Sequence, residues 1–164
     1  SLRTLSTISN LSKKEAELFA SLGKCVFSST NSKFFLKSEN TILGSDIKYG
    51  DILLLMECGL IKENEDIIFS YSADSNEIQK HAFVYQDLVI FIELEKGDYH
   101  IDVPIFELTT AGSEIYQILD VEKDMSVLEK AASIIKKPNV HFGYSKLMDI
   151  SGNVIKSDGD ILYL

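Results

Sequence analysis

Several things are missing from this chain, and each absence removes a class of function. No apolar run exceeds five residues; the longest are Ile52–Met56 and Leu88–Ile92. A helix crossing a bilayer needs about 20 apolar residues, so none is expected. The first residues lack the apolar core and small-residue cleavage site of a signal peptide. Only two cysteines occur, Cys25 and Cys58, and they form no CxxC pair. Zinc ribbons and dithiol redox chemistry therefore have no support, and both thiols read as small core residues of a reducing cytoplasm. No glycine-rich phosphate loop, nucleophile elbow or HExxH helix is present. There is no internal repeat and no low-complexity segment.

What is present suits one globular body. The 164 residues are 45% hydrophobic and 25% charged, ordinary for a domain with a single core. The net charge of −9 is unevenly spread: residues 1–56 carry +2, residues 57–124 carry −12, and residues 125–164 carry +1. An acidic middle repels phosphate backbones.

The stretch Lys48–Ile61 is the organising element. Its five consecutive apolar residues predict a helix buried on most sides. Gly59 fits the left-handed position after a helix, with Leu60 packing back over the last turn. Before it, Leu2, Leu5 and Ile8 suggest the end of a helix. Ser12-Lys13-Lys14-Glu15 is a capping box opening a helix to about Ser28, with Leu18, Phe19, Leu22 and Val26 on one face. Phe34–Leu36 predicts a short strand, and Thr41–Leu43 a second strand or a turn.

Strand signals follow at 67–71, 78–85, 88–94 and 100–108, the last after the turn Lys96-Gly97-Asp98. Leu88, Ile90, Ile92 and Leu94 share one face, as antiparallel strands with one buried side require. A helix capped at Thr109 or Thr110 should bury Ile115, Ile118 and Leu119. Another follows, carrying Val127, Leu128, Ala131, Ile134 and Ile135, and ends before Pro138. The tail predicts a hairpin, 140–150 and 154–164, kinked near Asp158-Gly159. The expected fold is α+β: a winged-helix-like core over 1–122, and a C-terminal helix and β-hairpin over 123–164 packed on the same domain.

Two motifs carry the winged-helix resemblance. Leu55-Met56-Glu57-Cys58-Gly59-Leu60-Ile61 is similar to the close of a third helix before the wing. Leu108-Thr109-Thr110-Ala111-Gly112 is similar to the start of the helix after it. A second resemblance rests on Ser1-Leu2-Arg3-Thr4-Leu5 and Leu11-Ser12-Lys13-Lys14-Glu15-Ala16-Glu17-Leu18-Phe19. These resemble an uncharacterised bacterial family, a domain of unknown function placed C-terminally behind a largely helical region. The resemblance implies a piece of a longer protein and supplies no catalytic residues.

Candidate chemistry is sparse. Asp98-x-His100-x-Asp102 puts three possible metal ligands at period two, which a metal-dependent enzyme could use; a solvated strand face has the same pattern. Glu93 and Glu95 could serve as an acid–base pair or mark where the sheet meets solvent. Asp149-x-Ser151-x-Asn153 with Asp160 has calcium-loop spacing, but Val154 stands where glycine is needed. His81 and His141 stand alone. Were the helix at 48–58 a DNA reader, it would offer Lys48 against Asp51 and Glu57, and the wing of 62–80 would bring Glu63, Glu65, Asp66, Asp74 and Glu77. The basic residues Arg3, Lys13, Lys14 and Lys24 sit on the first helices instead. The expectation is a non-catalytic, cytoplasmic protein-interaction or regulatory module that binds a protein partner or itself. It needs no cofactor or metal. A nucleic-acid-associated winged helix is the alternative, and a metal-dependent enzyme the third.

Overall fold

The computed structural model describes residues 1–164. Five helices, α1 (Leu2–Asn10), α2 (Lys13–Ser21), α3 (Tyr49–Glu57), α4 (Thr110–Gln117) and α5 (Met125–Ile135), accompany nine strands. The capping box at the start of α2 forms as its sequence requires. The Glu15 amide donates to Ser12 Oγ at 3.2 Å, and the Ser12 amide donates to the Glu15 carboxylate at 2.7 Å. The helix stops at Ser21, about two turns short of the expected Ser28. A tight turn at Gly23–Cys25 follows, and Val26–Ser28 becomes strand β1. Val26 and Phe27 are a branched and an aromatic side chain, and each finds a cross-strand partner, Phe35 and Phe34. Tertiary pairing outweighs the helical spacing that Val26 shares with Phe19 and Leu22.

The remaining strands are β2 (Lys33–Ser38), β3 (Thr41–Ile42), β4 (Ile68–Ser72), β5 (Gln79–Tyr85), β6 (Leu88–Leu94), β7 (His100–Glu107), β8 (Val140–Ser151) and β9 (Val154–Tyr163). All pair antiparallel in one sheet, in the order β4-β7-β2-β1-β5-β6-β8-β9, with β3 beside β2. The sheet curls into a half-barrel. Phe27, Phe34, Phe83 and Tyr85 pack ring against ring within it, with centroids 5.0–6.1 Å apart. α5 buries Val127, Leu128, Ala131 and Ile135 and packs on β8.

This architecture differs from the winged-helix-like core expected over 1–122. The two strand pairs that would make a wing are not a ribbon: β4 pairs with β7 and β5 with β6, at separate places in the sheet. The C-terminal hairpin, expected to pack on the same domain, joins the sheet: Val140–Lys146 lies along the whole of β6.

The two motifs that suggested helix end and helix start do meet. Gly59 closes α3 at φ +74°, as a left-handed cap must. Thr109, the N-cap of α4, donates its hydroxyl to the Gly59 carbonyl at 2.5 Å and its amide to the Leu60 carbonyl at 3.0 Å. Gly112 then approaches so closely that a Cβ there would collide with the Leu60 carbonyl. A bridge between Ile61 and Leu108 and an ion pair between Lys62 and Glu107 at 2.9 Å extend the junction.

α3 is not buried on most sides. Ile52, Leu55 and Met56 are buried, Leu54 is half-buried, and Leu53 and Tyr49 face solvent.

Candidate functional site

The carboxylates and imidazole of the Asp98–Asp102 segment are spread over two kinds of structure. His100 and Asp102 lie on the exposed side of β7, with Nε2 and Oδ2 3.7 Å apart. Asp98 stays in the preceding turn. Asp102 also accepts a hydrogen bond from Ser70 Oγ of β4 at 2.8 Å. Nowhere in the chain do three or more His, Cys, Asp or Glu side chains gather as a metal site would. Asp149 and Asp160 lie on β8 and β9, two paired strands, where a calcium loop needs one continuous turn.

Glu93 and Glu95 each have partners. Glu93 pairs with Lys80 at 3.5 Å and accepts from the Tyr163 hydroxyl at 3.0 Å. Burial, then the hydrogen bond to Glu93, pushes that phenol above its ordinary value. Glu95 meets His141 Nε2 at 2.9 Å. His141 enters because β8 sets it directly opposite Glu93, a register invisible without the pairing. Such an exposed polar network ties strands together and lacks the burial that makes a catalytic acid.

A cleft of about 350 Å³ opens between α1, α2 and α3. Ser6, Thr7 and Asn10 line one wall, Glu15, Leu54 and Cys58 the other. Burial and the neighbouring Glu15 carboxylate push the Cys58 thiol up to about 11. Cys25, fully buried, is also pushed up to about 11, chiefly by desolvation. Both stay protonated at neutral pH, so neither is an activated nucleophile.

The most unusual surface is α1. Its polar side faces the protein: Thr4 is buried and donates its hydroxyl to the Glu114 carboxylate on α4, holding that group below the usual carboxylate range. Ser6, Thr7 and Asn10 edge the cleft. The apolar side is turned outward, with Leu2 87%, Leu5 63% and Ile8 42% exposed. Ile118, expected to point inward, is 75% exposed, one turn beyond Glu114 on α4. The spacing of Leu2, Leu5 and Ile8 tells which residues share a face. It does not tell which way the face points.

At the start of α3 two groups are tied to acidic neighbours. The Lys48 amide is capped by Asp51 at 3.0 Å, and Tyr49 donates to Glu65 at 2.5 Å. No helix of the chain is long and apolar enough to cross a membrane.

Fold and surface define an α+β domain whose distinguishing feature is an outward apolar helix face. Residues 1–131 match the family described as Protein of unknown function (DUF2806), and the chain belongs to that family. No curated protein and no solved structure matches it.

Proposed function

We propose that the chain is a non-catalytic protein-interaction module that self-associates through α1. The observation that carries this reading is the inverted packing of that helix, which leaves Leu2, Leu5, Ile8 and the neighbouring Ile118 in water. Four such side chains expose a few hundred Å² of apolar surface, about the size of a functional patch. They would form the centre of an interface whose polar rim supplies the rest of the roughly 800 Å² that each partner of a stable pair buries. A twofold pairing of α1 with α1 of a second copy needs only one patch, used twice. Charge favours the same surface. Leu2–Asn10 holds Arg3 and no carboxylate, so two copies with net charge −9 meet there with the least repulsion.

The acidic 57–124 segment weighs against nucleic acid as the partner. With this reading go two expectations from the sequence: a bacterial protein, from the family resemblance, and a place in the cytoplasm, from its two unpaired cysteines. Sedimentation over a range of concentrations tests it. The native chain should dimerise, and Leu5→Lys, at an exposed position, should yield a monomer with an unchanged melting temperature. A native chain that stays monomeric, or a dimer indifferent to Leu5→Lys, would sink the proposal.

A further inference from the structure

A second feature, independent of α1, lies between β4 and β5. β4 ends the sheet and has one neighbour, β7. β5 meets β1 only where Ser28 faces Val84, so Gln79–Phe83 has β6 on one side and nothing on the other. Along both segments, alternate backbone N–H and C=O groups point away from any partner strand. The two open edges border one groove of about 250 Å³, lined by Ile68, Phe69, Ser70 and Tyr71 from β4 and by Ala82 and Phe83 from β5. Phe34 holds its floor apart, touching Phe69 at 4.9 Å and Phe83 at 5.9 Å between ring centroids. Across the groove, Tyr71 leans on His81 at 4.6 Å, and His81 Nε2 is buried without a hydrogen-bond partner.

Direction matters as much as spacing. From β4 through β7, β2 and β1 to β5 there are four antiparallel steps, so β4 and β5 run the same way. A single inserted strand can therefore lie antiparallel to both. The groove is also acidic at its margins. Asp66 precedes β4, Asp74 and Glu77 lie between β4 and β5, and Asp102 holds Ser70. Lys80, the cation on β5, is already paired with Glu93.

We propose that this groove receives one extended segment of a partner protein, whose backbone pairs with β4 and β5. Its inward side chains are apolar, against Phe69 and Phe83, and its outward ones are basic. Backbone pairing supplies the affinity, and the aromatic floor and acidic margin supply the selectivity.

The test uses the full chain and a short capped peptide alternating lysine and valine, with amide exchange and chemical shifts as readouts. Amides of Ile68–Ser72 and Gln79–Phe83 should exchange fast in the free chain and become protected when the peptide binds. A peptide with proline at its centre should lose that protection, as should one with glutamate in place of lysine. Ala82→Lys, at an exposed position, should weaken binding by about tenfold or more. Three results would overturn the proposal: no binding of the lysine–valine peptide, binding that tolerates proline, or shifts spread away from both edges. Concentration-dependent protection of these amides without peptide would assign the groove to a second copy instead.

Discussion

Leu53, Leu54 and Leu55 are chemically identical neighbours that differ only in where α3 points them. Leu55 is fully buried, Leu54 borders the cleft, and Leu53 is exposed. Leu55→Ala should lose about 2–5 kcal/mol, Leu54→Ala distinctly less, and Leu53→Ala within roughly 0.5 kcal/mol of nothing. Urea melts of the three variants check the order. The run Ile52–Met56 correctly announces a helix at the core, but a block of apolar residues carries no periodicity to say which side stays wet. His81 gives a second residue-level expectation. Burial holds its imidazole below the ordinary 6.5, so the unfolded chain binds this proton more readily than the folded one. Its contribution is complete above about pH 7 and declines as pH falls through the 6.5 region toward the lower folded value. Stability should drop as pH falls below about 6.5, and His81→Gln should flatten that slope. An unaltered slope in the variant would show another group responsible.

The junction of α3 with α4 is where local signals and tertiary contacts agree. Both ends were readable: Gly59 as a stop, and Thr109 as a cap with Gly112 three residues on. That the cap of one helix serves the last carbonyls of the other was not, because no spacing within either motif encodes a contact across fifty residues of chain. The two glycines should behave differently. Gly59→Ala meets open space and strains only the positive φ, costing about 1–2 kcal/mol. Gly112→Ala drives a methyl group into the Leu60 carbonyl, and should reach at least the top of the 1–3 kcal/mol range for overpacking. Thr109→Ala should cost about 1 kcal/mol for the lost cap. Thermal melts that rank Gly59→Ala as the more damaging glycine change would show that α4 can slide away.

For the molecule as a whole, strand positions were legible and their partners were not. The alternation in Leu88–Leu94 marked a strand with one buried face. Nothing in it marked Val140–Lys146 as its neighbour, some fifty residues on, rather than a strand nearer in sequence. The outward face of α1 was hidden for a related reason: amphipathic spacing is the same whether the apolar side meets the core or the solvent. The family match ends at residue 131, inside α5, yet β8 covers the length of β6. A chain ending at Ala131 should therefore leave Ile90, Ile92 and Leu94 without Tyr144, Phe142 and Val140. It should lose its cooperative melt and bind a hydrophobic dye. A sharp calorimetric transition in that shortened chain would mean the sheet closes without its last two strands. Acid should weaken the intact protein as well. Glu15, held low by Ser12, and Asp124, held low by Ser126 and Lys24, stabilise the fold above the ordinary carboxylate values and cease to as pH falls below about 4.

The far margin of the sheet has a consequence for how the protein keeps in concentrated solution. β9 is outermost, but its course is broken by Gly159 at φ +86° and by two shifts of register against β8. Asp158 and Asp160 flank the break. A long edge built this way offers no flat, uncharged template, and copies cannot zip together into fibres along it. Replacing Asp158, Gly159 and Asp160 together with threonine, serine and threonine would straighten and discharge the edge. That triple variant should turn turbid and stain with amyloid dyes on storage, while the native chain stays clear.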